Sequence, residues 1–377
     1  MEKKNSYKSR YNHIVQSNPA VNSMPIKNRA EALPFLLLIL LTGLLMLLAV
    51  ACSEETTLSV DDTDNSNGPK ITHDTFFIER SEGIAINNAN IMVGSQRIPW
   101  DHGSTPRAIR WSVQGGVSSL VGLEEHTAAL GINDRGDIVG VMETNSFSKG
   151  FAVVDGSLIE LEKIHEDDIT RAISINNEGT IVGVSNGHTV VWQRADDGSY
   201  GLPTELGRSD RNFGLRQNKP HINIKGEIAA VLFDSTMMDY RAAIVQPDQD
   251  GRYGAPVWLG SDQGDIAIGG INDSGVVVGN QWVWLPENYD EPISLLIGRA
   301  MAINNHNQIA GIQGNKPALW TLEPDGQISD PHGLDFPETW SNGHAHDIND
   351  NGWVTGYVWL TATASSNEHA AVWRPVD

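Results

Sequence analysis

Cysteine is nearly missing from this sequence. The 377 residues contain one, Cys52, so no disulfide can form within the chain. Positive charge is scarce as well, with 26 Lys and Arg against 47 Asp and Glu and a formal net charge of −21. Residues 1–52 hold six of the basic and two of the acidic residues, which leaves 20 against 45 in the remainder, a net charge of −25. A surface of that sign cannot displace the counterions of a phosphate backbone, so nucleic acid is excluded as a partner. Divalent cations or basic protein patches suit the charge better, although no Asp-rich segment has the spacing of an EF-hand loop. Long apolar runs are absent except at residues 35–51, and no apolar repeat of helical period appears outside that run. Nucleophile-elbow, His-Glu-x-x-His and phosphate-loop motifs are all missing.

The apolar run explains the cysteine. Phe35–Ala51 carries no charge, comes after Lys27 and Arg29, and ends on small residues, the pattern of a secretory leader. An uncleaved membrane anchor is the alternative, since such a length just spans a bilayer. Leu48-Ala49-Val50-Ala51-Cys52 resembles the bacterial lipoprotein box, which implies cleavage before Cys52, lipidation of its sulfur and stable membrane anchoring. Ser53 rather than Asp after the cysteine implies sorting to the outer membrane. Residues 1–51 are therefore expected to be a signal peptide, with Met24 as a start that gives more usual proportions. Residues 52–70 are polar and acidic and read as a flexible tether.

From residue 71 onward the chain is repetitive. Ile-Asn recurs at Asn87, Asn133, Asn176, Asn223, Asn272, Asn304 and Asn349, with spacings of 46, 43, 47, 49, 32 and 45 residues. Three residues later stands Gly or Asn, the residues that accept a left-handed backbone in a tight turn. An apolar stretch then closes on Gly in six repeats and on Ala230 in the fourth. Later in most repeats comes a Trp (Trp111, Trp192, Trp284, Trp320, Trp373), succeeded in several by an Asp-Gly or similar turn. Each unit reads as four short strands, and seven such units over residues 71–377 predict an all-β, seven-bladed β-propeller. The short fifth and irregular fourth repeats keep a six-bladed ring as runner-up. The chain ends where the seventh unit's fourth strand should begin, and Ile71–Glu79 supplies an extra strand before the first unit, so the N-terminal strand is expected to complete the last blade. Small residues two and four before the motif Asn place the first strand nearest the axis.

Ile-Asn-x-x-Gly-x-x-x-Gly with a later Ala-x-x-Trp, as in Ala370-Ala371-Val372-Trp373, resembles the HAF family of extracellular repeats over essentially the whole body. The resemblance implies fold and location, and no particular chemistry.

Candidate site residues are few. Strand alternation puts His344 and His346 on one face and Asp347 on the other; the two histidines suggest a metal pair lacking a third ligand. His221 and Asp347 occupy equivalent small-residue positions and should point to the axis, as a shared site or as a hydrated lining. His165, Asp167 and Asp168, with Asp101, His102, Asp262 and Asp265, form an expected acidic rim on the variable-loop face for a cation or basic partner, or a plain solvated surface. Trp100, Tyr240, Trp340 and Trp359 fall in variable loops or links and are candidate aromatic contacts for sugar or protein. Arg135-Gly136-Asp137 spells an adhesion tripeptide, which the repeat's own turn generates. No catalytic set, required cofactor or metal site stands out. The leading expectation is therefore a lipid-anchored, non-catalytic module at the cell envelope that binds protein or glycan. An envelope hydrolase or lyase working at the channel mouth, and a subunit of an envelope assembly machine, are the alternatives.

Overall fold

The computed structural model describes residues 72–376 apart from 101–102, 121, 124, 144–147, 165–168, 210–218, 261–266, 296, 338–339 and 360–367. The leader, Cys52, the tether and the rim residues Asp101, His102, His165, Asp167, Asp168, Asp262 and Asp265 lie outside the described residues.

Twenty-eight strands form seven four-stranded antiparallel sheets, and no helix occurs among the described residues. Blades 1 to 6 take consecutive strands from residues 81–119, 127–160, 170–208, 221–258, 270–294 and 299–333. Blade 7 takes three strands from residues 342–376, and its fourth is β1 (Thr72–Ile78) from the other terminus. β1 pairs with β28 (His369–Val376) over seven residues, Thr72 opposite Val376 and Ile78 opposite Ala370. The strand from one terminus thus completes the outer side of the blade formed by the other and fastens the two ends together. Both the irregular fourth unit and the short fifth are complete blades, so the ring has seven.

Each motif residue has a physical task. The asparagine turns its side-chain amide outward to the next blade. Asn87 Nδ2 donates to Asn133 O, Asn133 to Asn176, and so on through Asn223, Asn272, Asn304 and Asn349 back to Asn87, at 2.8–3.2 Å. The Oδ1 of the same side chains accepts N–H groups of their own turn, such as Ala89 and Ile91 on Asn87. One buried residue per blade therefore shapes its turn and fastens its neighbour. The predicted left-handed positions are left-handed, as at Gly136 (φ 84) and Asn90 (φ 58).

The closing glycine is a matter of space. A Cβ on Gly183 would lie 2.0 Å from Arg171 O, and one on Gly356 1.9 Å from His344 O, both on the blade's first strand. In blade 4 the closing position is Ala230, and the ladder between first and second strands holds only His221–Ala229 and Ile222–Ile228 among the described residues.

The five repeat tryptophans are no more than 2% exposed and pack between blades. Three indoles donate to a carbonyl in the link leaving the preceding blade, Trp192 to Glu162, Trp284 to Gly260 and Trp373 to Asp335. Arg135 and Asp137 pair within their own turn at 2.9 Å, with the Asp137 side chain 3% exposed, so the adhesion tripeptide is folded in on itself.

Candidate functional site

The first strands of all seven blades surround a central chamber of about 410 Å³. Its wall includes the residue two before the motif Asn in every blade: Ala85, Gly131, Ser174, His221, Gly270, Ala302 and Asp347. The residue four before contributes only in Lys219, Ile268 and Ala300. Alternation fails because the first strand is bulged. In blades 1, 2, 3, 6 and 7 the register skips the residue three before the motif, between Gly83 and Ala85 or between Ala345 and Asp347. A bulge places two residues opposite one and re-aims the side chains after it. This corrects the expected split between His344, His346 and Asp347, for all three line the same chamber.

A second, shallower recess of about 180 Å³ lies at the motif turns, lined by the Ile-Asn pairs and the residues after them. Ile132, Ile175, Ile222, Ile271 and Ile303 border both spaces, so the motif isoleucines form an apolar partition between them. The turn recess carries a polar ring in which the residues after the motif Asn run Asn88, Asp134, Asn177, Ile224, Asp273, Asn305 and Asp350. Amides and carboxylates bond each other around it, as in Asn88 Nδ2 to Asp134 and Asp350, and Asn305 Nδ2 to Asp273 and Asp350. Strict alternation cannot close on seven members, and Ile224 occupies the odd place. The acids of this ring are consumed by structure.

The chamber wall is divided. On blades 1 to 3 it is aliphatic, with Ile84, Leu130 and Ile173 packed together with Val141 and Val184. On blades 4 to 7 it carries Lys219, His221, Asn280, Arg299, His344, His346, Asp347 and Tyr357. Tyr357 Oη and His344 Nδ1 are hydrogen-bonded at 3.0 Å, and the His344 ring meets Trp359 edge-on at 5.1 Å. Trp359 in turn stacks on Tyr357 at 5.1 Å. His346 Nδ1 lies 3.1 Å from Gly83 O and 3.8 Å from the Glu82 carboxylate. Asp347 accepts the N–H of Ile86 at 2.8 Å through Oδ2 and that of Ile348 at 2.9 Å through Oδ1.

Electrostatics are set by enclosure. Burial raises the Asp347 carboxyl to about 6 against the pull of its two N–H donors and the Lys219 ammonium. Burial, with Lys219 adding, lowers His221 to about 3, so its imidazole is neutral in the physiological range. Among the described residues no three His, Cys, Asp or Glu side chains gather into a metal-sized group, the two blade-7 histidines included.

The remaining aromatic candidates are packing residues or lie at strand ends. Trp340 sits edge-on to Phe77 at 4.7 Å and stacks on His369 at 4.8 Å. Tyr240 belongs to a strand, Asp239–Val245, and packs edge-on to Phe233 under the Arg208 guanidinium. Trp100 ends the strand Met92–Trp100, and its side chain lies outside the described residues.

No protein-family model and no curated protein matches this chain. Solved structures do. A virginiamycin B lyase from Staphylococcus aureus aligns over 81% of this chain and 100% of its own, at 13% identity and a TM-score of 0.52. A streptogramin B lyase aligns over 86% and 97%, at 13% and 0.51. The β-propeller domain of the trilobed protease from Pyrococcus furiosus, which has an open velcro topology, aligns over 78% and 93%, at 10% and 0.52. The chain is a β-propeller. It differs from the last of these in that β1 fastens the ring.

Register comparison alone would also have exposed Lys219, Asn280 and Tyr357. Lys219 stands where other repeats carry Gly83, Ala129, Ala172, Ala300 or Ala345, and Asn280 and Tyr357 come after the closing glycine where Val141, Val184 and Ile312 stand elsewhere. Arg299 breaks no pattern of that kind, and no signal in the sequence marks it.

Proposed function

We propose that the chain is an acid–base enzyme, a lyase or hydrolase, whose site is the central chamber. One observation carries this reading: a scaffold built from small and aliphatic first-strand residues departs from its own repeat on one wall only, and there gathers imidazoles, a carboxyl and a phenol around an enclosed space. A proton-transfer group works best with a pKa near the working pH, and Asp347 at about 6 meets that condition. His344, oriented by Tyr357 and Trp359, is the second proton carrier, and neutral His221 supplies a hydrogen bond to the substrate. The lyases among the structural neighbours support this reading over a passive scaffold.

Binding without turnover is the second reading, and one observation favours it: both Asp347 oxygens already accept a backbone N–H, as a purely structural carboxyl would. In either case the leader and Cys52 support a location at the bacterial envelope, anchored by lipid to the outer membrane. The resemblance to HAF-type repeats supports the same extracellular setting, and a protein or glycan docking on the loop face, or an assembly machine, is compatible with it.

The test is turnover of a panel of lactones, esters and elimination substrates by the full chain in non-ionic detergent. Asp347→Asn and His344→Gln should each lower kcat by about 10²-fold or more in a chain that remains folded by circular dichroism. Turnover that survives both substitutions would place the chemistry elsewhere.

A further inference from the structure

We propose that the closing strand is an acid-sensitive latch, in which a proton on His73 releases β1 from blade 6 and slackens the last blade. The inference stands on the ring closure and holds whether or not the chamber is catalytic. β1 is attached differently on its two sides. Phe76 packs against Trp111 of blade 1. His73 and Thr75 share the other face, as alternate residues of a strand do. Thr75 Oγ1 donates to Asp335 O at 3.2 Å. The His73 ring lies 6.0 Å from that of His332, in the last strand of blade 6, His332–Gly333. His73 is 6% exposed, and its Nε2 is buried with no hydrogen-bond partner. Buried polar atoms are ordinarily paired, so an apolar side chain would suit plain packing better. The residue that stands there is the one whose charge changes near neutral pH.

A neutral imidazole fits this enclosed position and an imidazolium does not. Protonation makes both ring nitrogens donors, and Nε2 has no acceptor. No carboxylate offsets the charge among the described residues. Opposite His73 on β28 stands Pro375, and the neighbouring Asp74 is spent on Arg374. From blade 6 the titratable group that acts on His73 is His332, which repels a proton, while Asp335 meets β1 through its backbone carbonyl. Burial first and His332 second hold His73 down at about 4, against 6.5 ordinarily. Release of β1 restores the ordinary value. Release therefore takes up a proton, and it becomes easier as pH falls from 6.5 towards 4. Between pH 7.5 and 4.5 the opening constant of β1 should rise on the order of 50-fold. His344, His346, Asp347 and Tyr357 sit on the first two strands of the same blade, Asn342–Ile348 and Val354–Trp359, so acid loosens that wall of the chamber.

The experiment is amide hydrogen exchange of the full chain in non-ionic detergent at pH 7.5 and 4.5, corrected for the intrinsic pH dependence of exchange. Peptides covering β1 are compared with peptides covering Ile181–Ser185 of blade 3, which lies away from the closure. The opening constant of β1 should rise on the order of 50-fold on acidification, and that of blade 3 by less than about fivefold. His73→Gln, checked for folding by circular dichroism, should bring the rise in β1 down to that of blade 3. His332→Gln should keep most of it, because burial is the larger cause. A rise in β1 no greater than in blade 3, or one that persists in His73→Gln, would overturn the inference. The comparison of the two strands in the unsubstituted chain decides the matter even if His73→Gln does not fold.

Discussion

Asn349 Nδ2 donates to Asn87 O at 2.8 Å, joining the last blade to the first across 262 residues of sequence. The six other bonds of this circle join blades that are also consecutive in the chain; this one, with the β1–β28 ladder, closes it. Asn87, Asn133 and their counterparts are 3–6% exposed, and each side chain is spent on its own turn and on the ring.

Removing one link should therefore cost more than a surface hydrogen bond. Asn133→Ala leaves Asn176 O without its donor and Asp137 N–H without its acceptor. A loss of about 2–4 kcal/mol is expected, measured by urea denaturation. Asn88→Ala, in the exposed outer ring, should cost under about 1 kcal/mol.

The closing glycines offer a sharper contrast. Gly183→Ala should destabilise by several kcal/mol, on the order of 3 or more, because its methyl would overlap a backbone carbonyl that cannot move without breaking the first strand. Ala230→Gly in blade 4 should change stability by about 1 kcal/mol at most. Paired melting curves decide it.

Closure can be tested at Phe76, which is 4% exposed and packs against Trp111 of blade 1. Phe76→Ala should cost about 3–5 kcal/mol and raise protease sensitivity at both termini, since β1 holds blade 7 together.

Two chamber groups make stability pH-dependent with opposite signs. Asp347 titrates at about 6 folded against 3.8 ordinarily, so the folded state holds the extra proton between these values. Its contribution, up to about 3 kcal/mol, is present below pH 4 and is lost as pH rises through 6. His221 is depressed to about 3 from 6.5, so the unfolded state takes up the proton first and stability falls as pH drops below 6.5. Asp347→Asn should flatten the first slope and His221→Gln the second, in chemical denaturation between pH 4 and 8.

The ring was legible because its constraints are local. An Asn that must shape its own turn, a Gly that must clear a carbonyl and an Ile that must fill a partition recur with every blade, so a period shows them. The site was only half legible. His221 and Asp347 stood out because they break a small-residue position, and Lys219 and Tyr357 break the pattern in the same way at neighbouring positions. The relation of Asp347 to the histidines was hidden, because a bulge at His346 depends on pairing with the next strand and leaves no mark in composition. Arg299 was invisible for a similar reason: its place on the wall comes from seven-fold closure and not from its own segment. Trp340 and Tyr240 read as loop or link residues from the sequence, whereas Phe77 and His369 reach Trp340 from other strands and Phe233 faces Tyr240 across the same hairpin.

Acid–base chemistry in the chamber requires a carboxyl tuned for proton transfer. Carbon-13 titration of the Asp side-chain carboxyls in the full chain, with the Asp347 signal identified by its loss in Asp347→Asn, reads this directly. A midpoint near 6 is the predicted result. A midpoint at or below 3.8 would make Asp347 a structural clasp and contradict the account.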